Sequence, residues 1–310
     1  MSSYLSKEFL LVKFPFFFPL IYGLILFNFP SFETTLIFLT ILLLAEPHFG
    51  ATWPFFLNKT NKDHILQNKI SLIFIPLSIF FLCLVGFFFF NKIFYLIFFA
   101  ANVYHVTRQS FGVSKLYTKE KSNVNFQEKH IYFFNFLFFF IAYLRFFLEI
   151  DIADFIIYLN IAVLFILGIS IAMYLFKFGF DQSLFAFITG CLIFYPACFV
   201  NNPVHVILMG VTMHFSQYLF LTNKVVIGRK NENKSELIKS RFSMYFILVA
   251  IIYGSVMASL SMFGKYDEQA LKNLIIIPII GQILHFYLDS QLWKFSLKHN
   301  RDSVLKYIMN

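Results

Sequence analysis

Apolar runs of about twenty residues recur along the chain, separated by short polar stretches. A run of that length spans a bilayer as an α-helix. The pattern predicts ten transmembrane helices: Leu10–Phe29, Thr34–Leu57, Ile70–Phe90, Ile93–Leu116, His130–Ile150, Phe155–Phe176, Gln182–Val200, Pro203–Thr222, Phe242–Phe263 and Leu274–Trp293. None of the runs alternates with period two, which excludes a transmembrane β-barrel. The expected fold is an all-α, polytopic membrane helix bundle. It forms a single domain over 1–310, with polar loops near 58–69, 117–129 and 223–241 and a basic tail over 294–310. No internal repeat supports a two-fold transporter architecture.

Composition agrees with that class. The chain of 310 residues is 59% hydrophobic and 13% charged, with a mean hydropathy of +0.73, against roughly 25% charged for soluble domains. The 48 Phe residues read as lipid-facing filler. The net charge of +9 is no nucleic-acid footprint, because its Lys and Arg residues cluster in alternate loops. One set carries Lys59, Lys62 and Lys69, then Lys115 to Lys129, then Lys177, then Lys224 to Arg241, and finally the tail with Lys294, Lys298, Arg301 and Lys306. The opposite set carries Glu33, Lys92, Asp151 with Asp154, and Lys265 with Asp267 and Glu268. The positive-inside rule therefore predicts that both termini are cytoplasmic. Cys83, Cys191 and Cys198 sit in apolar runs without a CxxC, which assigns them to packing. Arg145 and Glu149, four residues apart near a span end, predict a snorkelling ion pair.

Polar residues inside the spans change this picture. Asn102, His105, Arg108 and Gln109 form a stripe in the fourth span, and ionisable groups at membrane depth usually mark a site. Three other spans also carry a histidine near the middle: His48, His214 and His285. Each of these four spans ends at a lysine (Lys59, Lys115, Lys224 and Lys294), which lies eleven, ten, ten and nine residues after the histidine. At about 1.5 Å per residue, all four imidazoles lie roughly 15 Å from the cytoplasmic boundary. Their companions are polar: Thr52 follows His48 by four, Gln217 and Tyr218 follow His214, and Gln282 and Asp289 flank His285. Glu46 sits beside Pro47, where a kinked or opened helix is expected. His64, His130, His205 and His299 lie in polar segments or at span ends and call for no special role.

Neutral imidazole is the commonest metal ligand. His48, His105, His214 and His285 are the expected ligands of a divalent metal, with Asp289 orienting His285. Arg108 is expected to pair with Glu46, Asp289 or an anionic substrate group, and Gln109, Gln217 and Tyr218 to position bound oxygen or water. The competing expectation is a transporter or proton-coupled permease that uses the same His, Arg and acidic residues as a relay.

The segments Pro47-His48-Phe49-Gly50, Tyr104-His105 and His214 to Tyr218 resemble, in order and separation, the histidine segments of the Brp/Blh family of membrane-bound β-carotene dioxygenases. Tyr218 stands where the second histidine of that family's late pair would be, and His285 lies in a further span. The His105-x-x-Arg108-Gln109 and His285 to Asp289 segments are also similar to those of an uncharacterised bacterial polytopic membrane family. The resemblance implies a bacterial inner (plasma) membrane enzyme. It also implies non-haem Fe(II), or another divalent metal, and dioxygen acting on an apolar lipid, isoprenoid or carotenoid among membrane lipids.

Overall fold

The computed structural model describes residues 6–57, 59–150, 155–232, 236–262 and 272–309, without the side chains of 55, 59–60, 230–232, 236–245 and 247. Asn58, Asp151, Asp154, Lys265, Asp267 and Glu268, and the side chains of Lys59, Lys230, Lys234, Lys239 and Arg241, lie outside the described residues. The chain is all-α, with no strand among the described residues. In chain order the helices are α1 (Phe17–Asn28), α2 (Glu33–Thr40), α3 (Glu46–Phe56), α4 (Lys59–Gln67), α5 (Ile75–Phe89), α6 (Asn91–Leu116) and α7 (Lys121–Phe146). There follow α8 (Ile156–Phe178), α9 (Ser183–Leu192), α10 (Pro203–Glu232), α11 (Glu236–Met262), α12 (Ile276–Leu292), and the short α13 (Lys298–Asn300) and α14 (Lys306–Met309).

Five helical runs among the described residues are long and apolar enough to cross a membrane: Pro30–Pro54, Ile70–Phe89, Ile156–Phe178, Pro203–Arg229 and Asn273–Leu292. Phe17–Asn28, Ser183–Leu192 and Leu248–Met262 are apolar but shorter. The chain is thus a helical membrane protein. The first and seventh expected spans are each broken, and proline explains both breaks. It offers no N–H to the carbonyl four residues earlier, and its ring crowds that carbonyl. Pro15, Pro47 and Pro76 each follow a wider π-helical turn, at Phe9–Lys13, Ile41–Ala45 and Ile70–Phe74, which absorbs the misfit. The turn before Pro47 is the opened helix expected there. After α9 the chain passes into a 3-10 turn over Tyr195–Cys198, around Pro196.

The chain folds as two compact units: 1–37 with 103–217, and 38–102 with 218–310. In the first unit, α7 packs on α9 and on the 3-10 turn that follows it. Backbone groups released by the breaks are taken up by side chains, as a low-dielectric interior requires. Ser216 donates to the carbonyl of Leu11 (2.9 Å), Gln217 to that of Val12 (2.7 Å) and Thr189 to that of Lys13 (2.9 Å). At the second break, Asn135 donates to the carbonyl of Gly190 (2.8 Å), Arg145 to that of Ala197 and Asn160 to that of Cys198 (3.1 Å). Arg145 therefore holds Ala197 and Asn201 rather than making the expected pair with Glu149. The reason is local: α7 ends at Phe146, and Glu149 takes φ +53°, so the helical i+4 register is lost before it. Glu33, His205 and Tyr22 form a chain of hydrogen bonds, with His205 Nε2 2.8 Å from the carboxylate and Nδ1 2.7 Å from the phenol. His205, for which no special role was expected, thus ties α1, α2 and α10 in this unit.

In the second unit the closest packing is α3 on α11. A Cβ on Gly50 would lie 2.9 Å from the Tyr253 ring and 3.1 Å from the carbonyl of Ala250, so only glycine admits this approach. The segments expected as polar loops are largely helical. α4 fills most of 58–69, and α10 continues to Glu232. The charges at its end are used rather than solvated: Arg229 is buried and donates twice to the carbonyl of Ser303 (3.0 and 2.8 Å), and Lys224 donates to that of Ile308 (2.7 Å). The expected basic tail is accordingly folded, with Asn300, Ser303, Val304 and Ile308 buried.

The tail also meets α4 through two stacked imidazoles, His64 and His299, with ring centroids 4.1 Å apart. His299 Nε2 lies 2.9 Å from the Asn61 amide oxygen. Burial holds both histidines below their ordinary pKa, and for His299 the neighbouring His64 and Arg229 push the same way while Asp302 opposes. The folded state therefore prefers both neutral, and the unfolded chain binds more protons. Stability is expected to be full above about pH 6.5 and to fall as pH drops below it, toward the folded-state values. Thermal melts from about pH 8 to pH 5 should show this slope, and it should flatten in the His64→Gln, His299→Gln double variant. An unchanged slope in that variant would show that these histidines do not set it.

Candidate metal centre

The second unit gathers His48, Thr52, Tyr218, His285 and Asp289 from α3, α10 and α12, all fully or almost fully buried. Helical spacing explains the pairings. His48 and Thr52 are one turn apart on α3, and His285 and Asp289 one turn apart on α12, so each pair shares a face. The His48 and His285 rings meet edge to face with centroids 4.4 Å apart, and the Tyr218 ring lies 4.4 Å from that of His48.

Hydrogen bonds order this cluster. Tyr218 donates its hydroxyl to Asp289 Oδ1 at 2.9 Å. With that proton committed, the Tyr218 oxygen accepts from Thr52 at 2.8 Å. Thr52 Oγ1 then accepts from His285 Nδ1 at 2.6 Å. The pattern places a proton on His285 Nδ1. Its Nε2 faces Asp289 Oδ2 at 3.6 Å, beyond hydrogen-bond length. With neutral imidazole, Nε2 and the carboxylate repel across this gap, and either a proton on Nε2 or a metal ion between them relieves that. The spacing suits adjacent ligands of one ion, each about 2.0–2.2 Å from it. Thr52, and not the carboxylate, is thus the group on the second ring nitrogen of His285. The i+4 relation of Thr52 to His48 was visible in the sequence, but its partner on another helix was not.

In the first unit, His105 and His214 are buried and their rings stand perpendicular at 5.6 Å. Gln217 is occupied with the carbonyl of Val12, so its amide serves the break before Pro15. Gln109 is half-buried. Arg108 is exposed, in line with Tyr104 and Gly112 one turn to either side, while Asn102, Val106, Ser110 and Val113 form the buried line of α6. The stripe read from the sequence is therefore split: three residues from His105 is about 60° off its direction, enough to carry Arg108 out of the core. Arg108 is close enough to Tyr132 for their charges to interact. In the second unit Glu46 is buried, and Gln282 donates to it at 3.4 Å.

Compared with known proteins, the chain matches no family model, no curated protein and no solved structure.

Proposed function

We propose that the protein is a membrane-embedded, metal-dependent oxidoreductase acting on a lipid or isoprenoid. The observation that carries this reading is the buried His285 Nε2 facing the Asp289 carboxylate at 3.6 Å, with the His48 ring alongside. An imidazole nitrogen and a carboxylate facing one another are donors that suit non-haem Fe(II) or another divalent ion. The sequence puts His48, His105 and His214 at the same depth as His285, and on that count they enter the proposal as the further donors. When bound, such an ion supplies a Lewis-acidic centre with positions for dioxygen and substrate. Asp289, expected from the sequence to orient His285, is here a ligand itself.

The protein's own residues do the rest. Thr52 fixes the Nδ1 proton and ring plane of His285, and Tyr218 fixes the Asp289 carboxylate. The exposed Arg108 is free of any role in the buried cluster, which suits it to an anionic group at the rim of an amphiphilic substrate. The cytoplasmic location of both termini belongs to the same proposal and rests on the loop charges. Thr52→Val keeps the shape but removes the acceptor for Nδ1–H, and is expected to weaken metal binding by about 10–100-fold, measured by competition with a chelating dye. Oxygen uptake in proteoliposomes supplied with isoprenoids should depend on added Fe(II) and vanish in His285→Ala. Metal-independent proton movement without oxygen uptake would favour the permease instead.

A further inference from the structure

A second feature stands apart from the histidines and does not depend on their metal. A cavity of about 390 Å³ opens in the second unit between the α5–α6 turn and the approach to α12. It is lined by Phe87, Phe88 and Tyr95, by Ile275, and by Asn91, Asn273 and Lys272. One of the lining residues, Phe87, also belongs to a packed apolar cluster with Cys83, Phe94 and Ile279.

The chemistry of the lining is two-sided. Aromatic surface combined with polar groups is what small-molecule sites use, and the volume lies within their range of roughly 300–1,000 Å³. Lys272 is exposed and makes no ion pair among the described residues. It offers a strongly hydrated point charge with three donors, near the Asn91 amide, which also donates to the carbonyl of Phe87 (3.4 Å). At roughly 30 Å³ per water-sized group, the cavity accommodates about a dozen heavy atoms. That suits one short alkyl chain with its head.

We propose that this cavity binds a single-chain anionic amphiphile, a medium-chain fatty carboxylate, with the carboxylate on Lys272 and the chain against Phe87, Phe88 and Tyr95. Exposed Phe89 and Phe90 continue the apolar surface beyond the cavity, where a longer chain would run.

The test is equilibrium binding of radiolabelled dodecanoate to the full chain in phosphatidylcholine nanodiscs. Saturable binding to one site is expected. Lys272→Glu should weaken it by roughly tenfold or more, as expected for a lost hydrogen bond to a charged group, while leaving competition by dodecanol unchanged. Asn91→Trp, which fills the mouth, should abolish both. Competition by dodecyl phosphate reports the head group, and tenfold tighter binding of the phosphate would overturn the carboxylate assignment. Unsaturable binding to wild type, or unchanged affinity in a folded Lys272→Glu protein, would overturn the site. Metal content should be unaffected in both variants, which separates this proposal from the metal centre.

Discussion

Gly210→Ala is expected to destabilise the protein by about 3 kcal/mol or more. A Cβ at this position of α10 would fall on the carbonyl oxygen of Ile193, and the carbonyl carbon would lie 3.0 Å away. The obstacle is backbone, not the tip of a flexible side chain. It is also poorly able to retreat, because Asn135, Arg145 and Asn160 hold the carbonyls of Gly190, Ala197 and Cys198 on either side of it. Gly168→Ala is the control. Nothing lies within 4 Å of a Cβ there, and in mid-helix the substitution should be neutral or stabilising by up to about 1 kcal/mol. Thermal melts followed by size-exclusion fluorescence should place Gly210→Ala well below wild type and Gly168→Ala at or above it. Equal melting of the two variants would show that α10 does not lie against the α9 break as described.

Asp289→Asn and His285→Ala are expected to lower metal affinity by more than about 100-fold, beyond the range typical of groups that only orient a ligand. Asparagine keeps the size of Asp289 and can still accept from Tyr218, but it removes the negative charge facing His285 Nε2. A modest loss in Asp289→Asn, comparable with Thr52→Val, would mean that the carboxylate orients and does not ligate. Replacing a buried group risks unfolding, so the comparison needs the melting temperature of each apo-protein. Asn at 289 should leave it near wild type, since its amide oxygen can keep the bond from Tyr218.

The membrane class was legible because it depends on a period and a length, both written in the chain. The breaks at Pro15 and Pro196 were written there too, as prolines inside apolar runs. What could not be read was which side chains would answer the carbonyls they release. Gln217 looked like a site residue because it follows His214 by three; only the fold shows that the carbonyl of Val12 claims it. Arg108 looked like a core residue because helical spacing alone sets a face to within about one position, and one position carried it outward. The charged segment after Thr222 was read as a loop because charge usually means solvent. Here Lys224 and Arg229 find carbonyls of the folded tail, partners far along the chain that no local pattern announces. The same limit applies to Thr52. Its spacing from His48 was plain, but its bonds to Tyr218 and His285 are long-range facts.

The most direct measurement is the metal content of wild-type protein purified from membranes without chelator and determined by elemental analysis alongside folded His285→Ala. Iron, or another first-row divalent ion, is expected at stoichiometric level in wild type and near background in the variant. Folded wild type that carries no metal, and takes up none on anaerobic reconstitution with Fe(II), would contradict a metal centre at these residues.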